Sequence, residues 1–370
     1  MNDSTNSPML LIGIGGAGCA IARGVSRAFG DGLRYVLADT DAATAGEDEP
    51  FLLLGGDRLS GRGSGGDIVS ARLAAEDSVD VLDESLEGVR LAVIVTSLGG
   101  GTGGGATLEA AKHLRGRGIP SVVFATTPFT FEGEARQQNS RGVLSMIEEE
   151  ANASFFIPLD KLIGEADNMD EAMRRAVDTL ASAVTLFWRL VEKPGYIRLD
   201  TERIRHLIAN AGRGRFAAVT VQGLDRAPEA VDALARAPLL AEGSGPVRAI
   251  LCGVLAGEDL RLSEVGKIAN GVRTAFGEGC AFELATVNDE QTFCGRISVV
   301  LMLFEANGKD VDEPQTGSAI AGPRRGRKAR NPLATGPQGR GRFNNAEPTV
   351  WNGEDLDIPT FVRRNINLDF

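Results

Sequence analysis

Apolar and polar positions follow two regimes along this chain. Through the first half, short unbroken apolar runs are followed by segments with helical spacing. Met9-Leu10-Leu11-Ile12, Tyr35-Val36-Leu37 and Leu91-Ala92-Val93-Ile94-Val95 read as buried parallel strands, and Cys19–Phe29 and Thr107–Arg115 as helices. This alternation, from Met9 to about Asn168, predicts a doubly wound α/β domain. A longer helix follows over Asp170–Val191. Ala172, Met173, Ala176, Val177, Leu180, Ala183, Val184, Phe187 and Leu190 recur there at three- and four-residue steps, which buries much of its surface. Asn168 or Asp170 can cap it, and Pro194-Gly195 stops it. Phe216–Val221, Val247–Leu255, Cys280–Val287 and Ile297–Phe304 read as strands of a second region, Thr201 to about Glu305. From Ala306 to Val350 large apolar residues nearly vanish, so this stretch cannot bury enough surface to fold and reads as a flexible linker. Apolar anchors return at Leu356, Ile358, Phe361 and Val362, with Arg363 and Arg364 behind them.

Candidate chemistry concentrates in glycine. Of the seven residues Gly99–Gly105, six are glycine and the seventh is Thr102. A strand precedes the run and a helix follows it. Without side chains, backbone N–H groups can close on phosphates, and the helix N-terminus adds positive dipole. A tight turn would need only one or two glycines. Thr102 offers a hydroxyl to a phosphate oxygen or a metal-bound water. Gly13-Ile14-Gly15-Gly16-Ala17-Gly18 is literally G-x-G-x-x-G, and Asp39 stands about twenty residues on, where a dinucleotide-binding domain keeps its ribose acid. Such a domain has no use for a second glycine cradle, and a third lies at Gly61-Arg62-Gly63-Ser64-Gly65-Gly66-Asp67. Three loops suit one nucleotide with a long phosphate tail. A hydride-transferring enzyme is the reading this disfavours.

These residues resemble the tubulin/FtsZ family. Gly99–Gly105 is similar to its signature loop, with Gly104 where a second Thr is usual. Asp39-Thr40-Asp41 resembles the family's Asn-Thr-Asp, and Thr127–Gly133 with Arg136 its ribose-contacting segment. Ile157–Leu162, Ala237–Leu240 and Asp259–Leu262 continue the likeness. Asp355–Arg364 is similar to the adaptor peptide that separates FtsZ from tubulin. The resemblance implies a Rossmann-type GTPase domain, a central helix, a second α+β domain, a disordered linker and a C-terminal peptide. In numbers, it implies an arm over 1–8, a nucleotide-binding domain over 9–169, a central helix and the start of the synergy loop over 170–195, a polymerisation domain over 196–305, a linker over 306–350 and a tail over 351–370. It implies GTP or GDP as ligand, with Mg2+ or K+ beside it, and head-to-tail self-assembly. Division proteins and a membrane adaptor would be held through Leu356, Ile358, Pro359, Phe361, Arg363 and Arg364. The nucleotide would meet Gly13, Gly15, Gly16, Gly18, Asp39, Gly65, Gly66, Gly99, Gly100, Gly101, Thr102, Gly103, Glu132, Arg136, Met173 and Val177.

Two departures from the family change the picture. Its synergy loop reads Asn-x-Asp-x-x-Asp; here Arg198, Asp200 and Arg203 occupy those positions, with Glu202 beside them. A guanidinium donates and cannot accept, so it orients water poorly. Either hydrolysis is slow and filaments are stable, or an arginine acts on the phosphoryl group of the next subunit while Glu202 or Asp200 orients water. The base pocket also differs. Leu159 and Val177 stand where the family reads guanine with an Asn and an acidic or amide residue, Met173 stands where it stacks a Phe, and Asp160 and Asp178 lie one residue after Leu159 and Val177. An apolar pocket discriminates weakly, so guanine selectivity over adenine is open.

Composition bounds the rest. The 370 residues carry a formal charge of -11, which disfavours a nucleic-acid-binding body. Four scattered cysteines and two histidines form no metal or disulfide pattern. No stretch is apolar enough to span a membrane and Met1–Ser4 lacks signal-peptide character, so a cytoplasmic protein is expected, and the resemblance implies a place at the division site, the septum beneath the inner membrane. The basic run Pro323–Arg330 fits a solvated linker, an anionic lipid surface or the acidic body of a neighbouring subunit.

Overall fold

In a computed structural model of the chain, the described residues are 7–162, 168–193, 195–199, 201–209, 211–241, 245–277 and 279–305, plus the backbone of a short hairpin pairing Val350–Trp351 with Glu354–Asp355. The chain divides into two units, 1–313 and 314–370. The hairpin belongs to the second. Asp200 and the remaining linker and tail expectations lie outside the described residues.

One ten-stranded sheet organises the first unit. Its strands are β1 (Met9–Ile14), β2 (Tyr35–Asp39), β3 (Phe51–Leu53), β4 (Leu91–Ser97), β5 (Ser121–Thr127), β6 (Ala153–Pro158), β7 (Gly212–Gln222), β8 (Val247–Ala256), β9 (Ala281–Asn288) and β10 (Arg296–Glu305). They run in the order β3-β2-β1-β4-β5-β6-β7-β10-β8-β9. From β3 to β7 every neighbour is parallel; β10 is antiparallel to both β7 and β8. The first six strands therefore have dinucleotide-fold order, and ligands of such sheets bind outside the strand carboxyl ends where the order reverses, here between β1 and β4. A three-residue parallel pairing, Ala153–Phe155 with Gly212–Gly214, joins this part to a mixed remainder, in which β8 and β9 are again parallel.

Helices cover both faces. Those of eight residues or more are α1 (Gly15–Phe29), α2 (Ile68–Glu76), α3 (Gly101–Gly116), α4 (Glu134–Glu150), α5 (Met169–Glu192), α6 (Thr201–Ile208), α7 (Arg226–Ala235) and α8 (Leu262–Phe276). The predicted long helix is α5. Asn168 caps it: its side chain accepts from Glu171 N at 3.0 Å, and the Glu171 carboxylate returns to Asn168 N at 3.4 Å. Such a capping box is worth about 1 kcal/mol. Val184, Phe187, Trp188 and Leu190 on α5 are buried in one continuous core with β1, β4, β8 and β10. Each such side chain stabilises by roughly 1.5–3 kcal/mol through burial. Arg189 ties α5 to the end of β9 through Asp289 at 2.9 Å, and to the end of α1 through Ala28 O at 3.1 Å. These contacts make α5 the rigid spine between the parallel and mixed regions.

Behind β7 and β8, Arg226 is buried and holds Asp259 at 2.7 Å and Glu264 at 2.8 Å. Hydrogen bonding from Arg226 keeps the Glu264 carboxyl below its usual value of 4.5. A depressed carboxyl contributes stability that is complete above its unfolded value and is lost as pH falls through the folded one. We therefore expect Glu264→Gln to lower the thermal midpoint by several degrees at pH 7 and by less at pH 3, below the unfolded value of the carboxyl. An equal deficit at both pH values in scanning calorimetry would refute this account.

Candidate functional site

The three glycine loops meet in one cleft at the carboxyl ends of β1, β2 and β4. The cleft encloses about 730 Å3, within the range of nucleotide-sized sites, and is lined by Gly15, Gly16, Asp39, Gly65, Gly66, Gly99, Gly100, Gly101, Thr102, Gly103 and Arg136 among the expected residues. Two helix N-termini, α1 and α3, open onto it. The glycine run is itself helical: α3 begins at Gly101, six residues before the predicted start. Helix is possible there because tertiary contacts fill the space where side chains would be. A Cβ on Gly103 would stand 1.8 Å from Ser97 O, one on Gly101 2.4 Å from Ser64 Oγ, and one on Gly105 2.3 Å from Ile68 O. Glycine lets α3 lie backbone to backbone on β4 and α2, and leaves its first N–H groups facing the cleft. Gly15 adopts φ +75°, the left-handed turn that swings β1 into α1.

Hydroxyls fasten the loops together. Thr102 Oγ1 lies 2.7 Å from Thr40 Oγ1 and 3.4 Å from Ser64 Oγ, which links α3 to the ends of two other loops. Thr96 Oγ1 donates to Ile14 O and Gly103 O, each at 3.1 Å. Asp39 is buried and its carboxylate serves its own turn, accepting from Thr40 N at 2.7 Å and Thr44 Oγ1 at 2.8 Å. Across the cleft, Arg136 pairs with Glu132 at 2.5 Å, and Glu132 also accepts from Phe129 N at 2.8 Å. Asn139, one turn further along α4, donates to Gly66 O at 3.0 Å. Asn139 is not among the residues expected from sequence, although it shares the α4 face of Arg136 at i+3.

Several expected residues stand elsewhere. Gly13 and Gly18 lie behind the cleft wall, where a Cβ would strike Gly18 O at 2.8 Å and Val95 O at 2.4 Å; they let α1 seat on the sheet. Met173 is half-exposed on α5 and Val177 packs against the main core; neither lines the cleft. Leu159 is buried against Phe129 and Ala176, and Asp160 accepts from Thr130 N at 3.1 Å. Asp178 lines a different, larger cleft of 940 Å3 beside α5, whose walls are Leu180, Leu186, Phe216, Pro238 and Leu239 and which has no glycine loop. Cys19, under the α1 loop, is buried, and burial pushes its thiol up to about 12, so it is an inert packing residue.

The segment expected to be the synergy loop is strapped to β9. Ile197 N donates to Thr286 Oγ1 at 3.0 Å and Thr286 N to Ile197 O at 2.8 Å. Arg198 is exposed. On α6, Glu202 pairs with Arg90 at 3.3 Å and Arg203 with Glu283 at 3.3 Å. None of the three lines the glycine cleft of its own subunit.

Residues 8–167 match the GTPase-domain model of the Tubulin/FtsZ family. The cell division protein FtsZ of Pseudomonas aeruginosa is 30% identical over 294 residues, covering 78% of this chain and 75% of that protein. The chain belongs to the Tubulin/FtsZ family. Its FtsZ relative from Pseudomonas putida is likewise 30% identical over 290 residues, 76% of this chain and 73% of that one. An empty FtsZ dimer from M. jannaschii superposes with a TM-score of 0.74 at 26% identity, covering 80% of this chain and 87% of that chain. CetZ2 from Haloferax volcanii, in a GTPγS-bound protofilament, shares the fold at 22% identity and a TM-score of 0.69 over 81% of this chain and 93% of that chain. At these identities the chain is a divergent, FtsZ-like member. Among the described residues, no helix is long and apolar enough to cross a membrane.

Proposed function

We propose that this chain is a GTP-binding protein that polymerises head to tail in the bacterial division ring and hydrolyses GTP slowly at the contact between subunits. One observation carries the reading: three glycine loops and two helix N-termini converge on a single cleft at the switch point of a parallel sheet. Family membership supports GTP or GDP as its ligand. Gly15, Gly16, Gly99–Gly103 and Gly65-Gly66 would hold phosphates through backbone N–H groups, and Glu132 and Arg136 the ribose. The region 9–169 would carry nucleotide and 196–305 the opposing contact. A patch with nucleotide on one end and the synergy segment on the other is heterologous, so association extends into open filaments. The dimer seen for the M. jannaschii relative supports self-association.

Slow turnover follows from chemistry. At Arg198 and Arg203 the family's water-orienting acceptors are replaced by donors. A second reading, a nucleotide-binding scaffold with no useful hydrolysis, is favoured by one observation: Glu202 and Arg203 are already engaged inside their own subunit. The tail peptide Leu356–Arg364 would recruit a membrane adaptor.

Pelleting of purified chain in GTP, GDP and ATP, with phosphate release measured on the pellet, tests the proposal. We expect GTP-dependent pelleting with slow phosphate release, and the same pelleting from a chain ended at residue 354. A nucleotide-independent monomer at all concentrations would overturn it, and pelleting with no phosphate release would select the scaffold.

A further inference from the structure

The glycine cleft holds one cation without an acid partner. Two charged donors line it, Arg62 and Arg136, and no lysine does. Arg136 is neutralised by Glu132 at 2.5 Å. Arg62 is exposed, and among the described residues it makes no ion pair or side-chain hydrogen bond. Its position is nonetheless well defined by its backbone. Arg62 N donates to Leu59 O at 3.1 Å, Gly63 N to Thr40 O at 3.0 Å and Ala42 N to Gly61 O at 2.9 Å. An isolated bridge pairs Asp41 with Arg62. Yet Asp41 does not hold the guanidinium; it caps the following turn by accepting from Ala43 N at 2.9 Å. The loop is therefore rigid and its cation is free.

Sheet order tells which part of a ligand it faces. Asp41, Thr44 and Arg62 sit beyond β2, whereas Arg136 and Asn139 sit beyond β5. Between them lie β1 and β4, about 14 Å across at the usual strand spacing. The helix N-termini of α1 and α3 occupy that middle ground. A nucleotide whose ribose meets the Glu132–Arg136 end must run its phosphates across both N-termini toward the β2 side. There the last phosphate, the most highly charged, meets the one uncompensated guanidinium.

Resting on the nucleotide reading above, we propose that Arg62 binds the terminal phosphate of the triphosphate held in its own subunit. It is a cation supplied in cis, from the glycine loop itself. A guanidinium fork matches two phosphate oxygens, and such charge-assisted bonds are roughly twice as strong as neutral ones. Nothing comparable is available from Arg203, which is bonded to Glu283. The consequence is a built-in preference for triphosphate over diphosphate that does not require the next subunit.

Titration of monomeric protein, below its pelleting concentration, with GTPγS and with GDP tests this. Arg62→Ala is expected to weaken GTPγS by about tenfold or more and GDP by less than about threefold, with Arg62→Lys between the two. Arg58→Ala is the matched control, because Arg58 is engaged with Asp77 at 2.7 Å and lies outside the cleft; it should leave both affinities unchanged. Equal affinities in Arg62→Ala and the native chain, or equal losses for both nucleotides, would overturn the assignment. If the native chain itself bound neither nucleotide, the proposed function would fall first, so the two failures are distinguishable.

Discussion

Replacing Gly103 by alanine is expected to abolish nucleotide binding while leaving the sheet folded. The added Cβ would lie 1.8 Å from Ser97 O and 3.1 Å from Thr96 Oγ1. Neither neighbour can yield. Ser97 ends β4, and Thr96 Oγ1 is bonded to Ile14 O and Gly103 O. The first turn of α3 must therefore move, and with it Thr102 and the N–H groups that face the cleft. Overpacking of this kind costs about 1–3 kcal/mol. Because the displaced groups are the binding groups, we expect affinity for a fluorescent GTP analogue to fall by at least about 100-fold, which corresponds to roughly 2.8 kcal/mol. Gly116→Ala, at the far end of the same helix with nothing within 4 Å of its Cβ, should bind as the native chain does. A gentler variant guards against misfolding: in Gly101→Ala the first obstacle is Ser64 Oγ at 2.4 Å, followed by Asp67 O at 2.6 Å. Native affinity in both variants, with native circular dichroism, would exclude the glycine cleft as the nucleotide site.

Arg203→Asp should raise GTP turnover by about tenfold or more, equivalent to about 1.4 kcal/mol of barrier, and shorten filament lifetime. The substitution restores an acceptor where the family orients water and removes a donor that cannot do so. It also places a carboxylate near Glu283, now the partner of Arg203 at 3.3 Å. Pairing it with Glu283→Gln separates that repulsion from the chemistry. Light scattering and phosphate release on the same sample give both readouts. If Arg203→Ala instead abolished turnover, an arginine acting across the subunit contact would replace the slow-filament account.

Much of this molecule was legible in its residues. The runs Met9–Ile12 and Leu91–Val95 announced β1 and β4 because buried parallel strands need apolar side chains on both faces. The stripe from Ala172 to Leu190 announced α5, and Asn168 its cap. The end of α5 also agreed: the helix stops at Glu192, just before Pro194. Helix start at the glycine run was not legible. Local propensity places Gly101–Gly105 in a loop, since glycine costs about 1 kcal/mol per residue in a helix. Only the close approach of Ser97, Asp67 and Ile68 makes the helical path the one that fits.

The candidate site divides the same way. By itself the sequence determined the inventory: three glycine-rich loops, the hydroxyl of Thr102, and arginines at 198 and 203 where the family has an amide and an acid. Those are counts of residue types at local spacings, and local spacing is what a linear pattern preserves. Tertiary structure alone decided which of them meet. Gly13 and Gly18 belong to the same motif as Gly15 and Gly16, yet neither lines the cleft: Gly13, near the end of β1, lies against Gly18 and Ala22 of α1, and Gly18 faces Val95 O of β4, so both serve the close seating of α1 on the sheet. Thr40, Ser64 and Thr102 are up to 62 residues apart and converge within hydrogen-bonding reach only when β1, β2 and β4 align their carboxyl ends. The long-range partners of the charged groups were equally invisible: Glu202 takes Arg90, Glu283 takes Arg203, and Arg62 is left to the cleft. Pairing is set by distances across the fold, and no feature of the linear pattern carries them.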